Sequence, residues 1–124
     1  MVAQRALFDT NILIDYLNGI PQAKDVLTEY HINPAISAIT WMEVMVGAPQ
    51  SAEAPTRAFL DRFERIDVDE TIAEAAVALR REHRMRLPDA IILATARCRG
   101  ALLVTRNTKD FDPTEPGVRA PYKL

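Results

Sequence analysis

The chain has 124 residues, 48% of them hydrophobic and 26% charged, with a formal net charge of -2. One domain of this size can bury an apolar core, and the balance excludes both a disordered chain and a strongly basic protein that coats nucleic acid. No apolar run is long enough to span a bilayer. One cysteine precludes an internal disulfide. The start, Met1-Val2-Ala3-Gln4-Arg5, lacks the order of a signal peptide, so a cytoplasmic location is expected.

Ala6-Leu7-Phe8 reads as a short buried strand, and Asp9-Thr10-Asn11 as the cap of a helix. Ile12, Leu13, Tyr16 and Leu17 form that helix's apolar face, which Gly19 and Pro21 end. A second helix is expected from Gln22 to about Tyr30, with Val26 and Leu27 inward. Ala35 to Ile39 reads as the second strand. Thr40 and Glu43 then have the spacing of a capping box, opening a helix that ends near Gly47. Pro55 to Phe63 is helical, and Ile66-Asp67-Val68 is a third strand. A long helix runs from about Glu70 to Arg86 on an Ile72, Ala76, Leu79 stripe. Pro88 breaks the chain, Asp89 opens a helix to Cys98, and Gly100 caps it. Ala101 to Val104 is a buried strand, Thr105 to Asp112 a polar loop, and a last strand lies near Val118. Alternating strands and helices predict an α/β domain over residues 1–124. Its mainly parallel sheet is flanked by helices on both faces, with polar residues gathered at the carboxyl ends of strands.

Four acids fall at those strand ends and helix starts: Asp9, Glu43, Asp89 and Asp110. Two carboxylates about 4 Å apart repel by roughly 4 kcal/mol at an effective dielectric near 20, so a converging set calls for protons or divalent cations. Hard oxygen donors select Mg²⁺ or Mn²⁺, and such an ion suits phosphodiester hydrolysis. Each acid also has an ordinary structural role: Asp9 as an N-cap, Glu43 as a capping partner, Asp89 as a helix-dipole acid, Asp110 as a turn residue. The residues by themselves leave both readings open. His31 and His83 form no zinc pair, Cys98 reads as a buried thiol, and no Gly-x-Ser-x-Gly elbow or glycine-rich phosphate loop occurs. Asp15 reads as a surface acid or one supporting the site. Arg80, Arg81, Arg84, Arg86, Arg97, Arg99, Arg106 and Lys109 read mostly as solvated helix faces, with a phosphate-lining groove as the sharper alternative. The early helices carry Tyr16, Leu17, Trp41, Met42, Met45 and Val46. That is more large apolar surface than a small sheet needs, and it predicts a homodimer.

Four segments, in this order and spacing, resemble the PIN-domain proteins of the VapC toxin type. They are Leu7-Phe8-Asp9-Thr10-Asn11-Ile12-Leu13-Ile14-Asp15, Ser37-Ala38-Ile39-Thr40-Trp41-Met42-Glu43-Val44 with Gly47, Leu87-Pro88-Asp89-Ala90-Ile91-Ile92-Leu93-Ala94-Thr95-Ala96, and Leu103-Val104-Thr105-Arg106-Asn107-Thr108-Lys109-Asp110-Phe111. The resemblance implies a metal-dependent endoribonuclease whose substrate is RNA. It further implies a homodimer and a VapB-like antitoxin that carries any DNA binding. Carried over by position, Asp9 and Asp89 are metal ligands for Mg²⁺ or Mn²⁺, Glu43 is a third essential acid, and Asp110 is the fourth. Asn107 stands where some relatives place that fourth acid. Thr10, Asn11 and Thr105 are implied to orient carboxylates and water. The other readings are an RNA-processing PIN nuclease without an antitoxin, an inactive PIN scaffold, and a receiver-like signalling module. A haloacid-dehalogenase-type phosphatase fits less well, since Asn11 stands where it needs a second Asp.

Overall fold

The computed structural model describes residues 4–124. The reading of Met1 to Ala3 lies outside them. The chain runs β1 (Ala6–Phe8), α1 (Thr10–Leu17), α2 (Pro21–Glu29), β2 (Ala35–Ser37) and α3 (Ala38–Gly47). A 3₁₀ turn (Gln50–Ala52) follows. Then come α4 (Glu53–Leu60), β3 (Glu64–Ile66), α5 (Glu70–His83), α6 (Leu87–Cys98), β4 (Leu102–Val104) and β5 (Val118–Arg119). The five strands are ordered β3-β2-β1-β4-β5, and every pairing is parallel.

Period-two alternation sorts the strand side chains onto two cores. Leu7, Ala35 and Leu103 face one side, with Ile72, Ala76 and Leu79 of α5 and Ala90 and Ala94 of α6. Ala6, Phe8, Ile36, Leu102 and Val104 face the other, with Ile12 and Leu13 of α1, Val26 and Leu27 of α2 and Phe59 and Leu60 of α4. The register Phe8↔Val104 brings the carboxyl ends of the two central strands level. The residues just beyond them, Asp9 and Thr105, are therefore neighbours.

Several local expectations shift. The helix after β2 starts at Ala38, because Ser37 already caps it by accepting from the Ile39 N–H. Thr40 is thus inside the helix and fully buried, so it forms no capping box with Glu43. The third strand ends at Ile66 rather than beginning there. It is an edge strand that buries one residue, which leaves no apolar alternation to read. Pro55 and Pro88 sit in the first turns of α4 and α6, where a missing N–H costs no helical bond. Cys98 is exposed, at the end of α6. Leu17 is 43% exposed while Asp15 is buried, so α1 turns a carboxylate rather than that leucine inward.

Candidate active site

Asp9 leaves β1 with extended backbone (φ -71°, ψ 155°) and caps α1. Its backbone N–H donates to the Val104 carbonyl at 2.9 Å, which fixes its height on β4. One carboxylate oxygen, Oδ1, accepts from the Thr10 N–H at 2.8 Å. The other, Oδ2, accepts from Thr105 Oγ1 at 2.7 Å and from Asn11 Nδ2 at 3.1 Å. Only 4% of the residue is exposed. Burial raises its pKa to about 6, against the Thr105 and Thr10 hydrogen bonds that favour the anion. The charges of Asp89 and Glu43 push it further up.

The other acids come from separate elements. Glu43, on the second turn of α3, accepts from Thr10 Oγ1 at 2.7 Å, and the Thr10 hydroxyl also lies 3.2 Å from Thr40 Oγ1. The buried Thr40 thereby ties α3 to the start of α1. Asp89 stands in the first turn of α6. Burial raises its pKa, Arg86 opposes that, and Asp110 and Glu43 add to it. Its Oδ2 is buried with no hydrogen-bond partner. An orphaned carboxylate oxygen next to other acids is costly unless a cation or proton joins it. Asp110 is exposed. Asn107 Nδ2 donates to its Oδ2 at 2.9 Å, and its own N–H donates to Asn107 Oδ1 at 3.2 Å. Asn107 and Asp110 are therefore joined by two hydrogen bonds.

Each acid thus lies in the electrostatic field of at least one other. Among the described residues, no group of three or more His, Cys, Asp or Glu side chains is gathered tightly enough to hold a metal ion by itself. One or two carboxylates with retained waters are the usual protein share of a Mg²⁺ site, and Asp9 with the unpartnered Asp89 meets that share.

Comparison with known proteins matches the PIN domain over residues 6–114, from the first residue of β1 to beyond Asp110. The chain belongs to the PIN-domain family. It is 31% identical over 119 residues to a tRNA(fMet)-specific endonuclease VapC of Shigella flexneri, covering 86% of this chain and 89% of the relative. It is 33% identical over 124 residues to Ribonuclease VapC19 of Mycobacterium tuberculosis, covering 94% and 98%. Among solved structures, a toxin-antitoxin complex from Klebsiella pneumoniae contains a chain 53% identical to this one. The TM-score is 0.90, covering 96% of this chain and 99% of that one.

Within this PIN domain, several side chains are placed by partners distant in sequence. Of the two readings of Asp15, burial against Arg106 and Tyr122 favours the supporting acid over the surface one. Its spacing three residues past the buried Ile12 was the available signal. Thr40 is a contact of Thr10 rather than a cap. Arg97 and Arg99 pair at the surface with Glu115 and Asp69, whereas Arg106 grips the buried Asp15.

Proposed function

We propose that this chain is the endoribonuclease toxin of a type II toxin–antitoxin pair, hydrolysing RNA phosphodiesters with Mg²⁺ or Mn²⁺ held by Asp9 and Asp89. The observation that carries it is the buried Asp9, facing the charges of Asp89 and Glu43 while Asp89 Oδ2 has no partner. Such an arrangement is electrostatically poor without a cation and useful with one. A bound ion would supply an activated water and neutralise charge on the leaving oxygen.

The chain's own residues prepare that site. Thr105 and Asn11 hold Asp9 Oδ2 from two sides, so the carboxylate cannot swing. Thr10 fixes Glu43, leaving that acid placed to orient water or take its proton. Asn107 steers Asp110 from the loop after β4, and the charge of Asp110 is felt at Asp89. The partner proposed for regulation is a VapB-like antitoxin, with contacts to DNA made by that partner. A homodimer is proposed through the exposed apolar residues of α1 and α3, including Leu17, Met42 and the 87% exposed Val46.

The test is cleavage of RNA by the purified, partner-free chain. EDTA should abolish it and Mg²⁺ or Mn²⁺ restore it, with 5′-phosphate and 3′-hydroxyl product ends. Full activity in rigorously metal-free protein, or 2′,3′-cyclic products, would overturn the mechanism.

A further inference from the structure

An ion pair built on a buried carboxylate stands next to the acid site and includes none of its four acids. Asp15, on α1, has a side chain only 7% exposed. Arg106 grips it with both arms of the guanidinium, Nε to Oδ2 at 2.8 Å and Nη2 to Oδ1 at 3.1 Å. The Tyr122 hydroxyl donates to the same Oδ2 at 2.7 Å. Three segments distant in sequence meet on one carboxylate: α1, the loop after β4, and the last residues of the chain.

The path continues into the site through the backbone. The Arg106 N–H donates to Asn11 Oδ1 at 3.2 Å, and Asn11 passes its amide to Asp9 Oδ2. On the other side of Arg106, the Asn107 N–H donates to Thr105 Oγ1 at 2.9 Å, and Thr105 donates to that same Asp9 oxygen. Both side-chain donors on Asp9 Oδ2 therefore depend on where residues 105–107 lie. Thr105 is also held by its N–H on the Arg119 carbonyl at 3.0 Å, and the Arg106 side chain adds the link from this segment to the buried Asp15.

The Arg106 side chain is still 34% exposed, so the pair adds little net stability. What it does supply is a fixed geometry, since a planar fork on a carboxylate tolerates little displacement. We infer that Asp15, Arg106 and Tyr122 form a positioning unit for Asp9, clamping residues 105–107 so that Thr105 and Asn11 hold the carboxylate aimed into the acid site. This deepens the proposed function and rests on Asp9 being an acid that works there.

The experiment is a double-mutant cycle between Asp15 and Asn11 in the purified chain, followed by kcat and KM for a short RNA, thermal melts, and NMR of the Asn11 side-chain amide in metal-free protein. Asp15→Asn should lower kcat about tenfold or more with KM little changed, the size expected when a catalytic group is slightly misplaced. Arg106→Lys should act in the same direction, because a single ammonium cannot grip both oxygens. In an Asn11→Ala background the Asp15→Asn loss should shrink but not vanish, since coupled residues do not act additively and the Thr105 path to Asp9 remains. The Asn11 amide resonances should shift and exchange faster in Asp15→Asn. The inference is overturned if folded Asp15→Asn keeps wild-type kcat, if its loss is equal in both backgrounds, or if the Asn11 amide signals are unchanged. If Asp15→Asn does not fold, Tyr122→Phe removes one hydroxyl and is read by the same three criteria. If the wild type cleaves no RNA, the functional reading fails separately, and the amide signals in metal-free protein still decide the positioning role.

Discussion

Asp9 carries a carboxylate into a place from which water is nearly excluded. Burial favours the protonated acid, and the donors Thr105 and Thr10 only partly restore the anion, leaving the pKa near 6 rather than 3.8. Between those values the folded chain holds a proton that the unfolded chain has released. Stability of the metal-free protein therefore falls as pH rises through this window, and the penalty is complete above it. Asp89, also raised by burial, pulls the same way. The melting temperature in EDTA should rise as pH is lowered from 7 to 5, and more so in wild type than in Asp9→Asn. The difference in unfolding free energy at pH 7 should be on the order of 1–3 kcal/mol. Parallel pH curves for the two proteins would contradict this. For catalysis, Asp9→Asn, Asp89→Asn and Glu43→Gln should each reduce cleavage by about 100-fold or more, as loss of one preorganised charge does. Glu43→Gln should still melt close to wild type, because its amide oxygen can accept from Thr10 as Glu43 does. Asp110→Asn should lose about tenfold, in keeping with a supporting acid on an exposed turn. Rates against Mg²⁺ concentration for all four variants check the set.

The elements divide into those whose apolar pattern is strong and those whose ends are set by single residues. Leu7, Leu103, Ile72, Ala76 and Leu79 are buried where periodicity puts them, so the sheet, its parallel order and α5 were legible. Boundaries were less so. Ser37 outcompetes Thr40 as a cap because it stands directly where β2 ends, and nothing in Thr-x-x-Glu spacing reveals that. The edge strand β3 exposes Glu64 and Arg65 and offers too little alternation to place. In the site, the family resemblance singled out Asp9, Glu43, Asp89 and Asp110 as candidates, and the level ends of β1 and β4 explain why Asp9 and Thr105 meet. Which of its two readings Asp15 takes was not legible, because its partners Arg106 and Tyr122 lie 91 and 107 residues away. Two helix ends give a further test. Gly100 closes α6 at φ +61° and Arg84 closes α5 at φ 53°. Gly100→Ala should destabilise by about 1–2 kcal/mol, the cost of a side chain in the left-handed region. Arg84→Gly should gain up to about 1 kcal/mol by removing that cost. Urea unfolding of the two variants should therefore move in opposite directions.

At the scale of the whole molecule, a hollow of about 420 Å³ between α1, α3 and α4 is lined by Ile14, Leu17, Val44, Pro49 and Pro55. Beside it, Val46 and Met42 are exposed. If this face joins two copies, Leu17→Glu with Val46→Glu should yield a monomer by light scattering at micromolar concentration while the melt is retained. A wild type that is already monomeric there rejects the dimer. The sheet order has a consequence in time as well as space. Strand β4 lies between β1 and β5, and Thr105 reaches Asp9 across 96 residues of chain. During synthesis the N-terminal half can pair β1, β2 and β3 early, whereas contacts of such long sequence separation close late. Asp9 emerges from the ribosome first and gains its hydroxyl partner almost last. The acid site is thereby assembled into working form only when nearly all of the chain has been made.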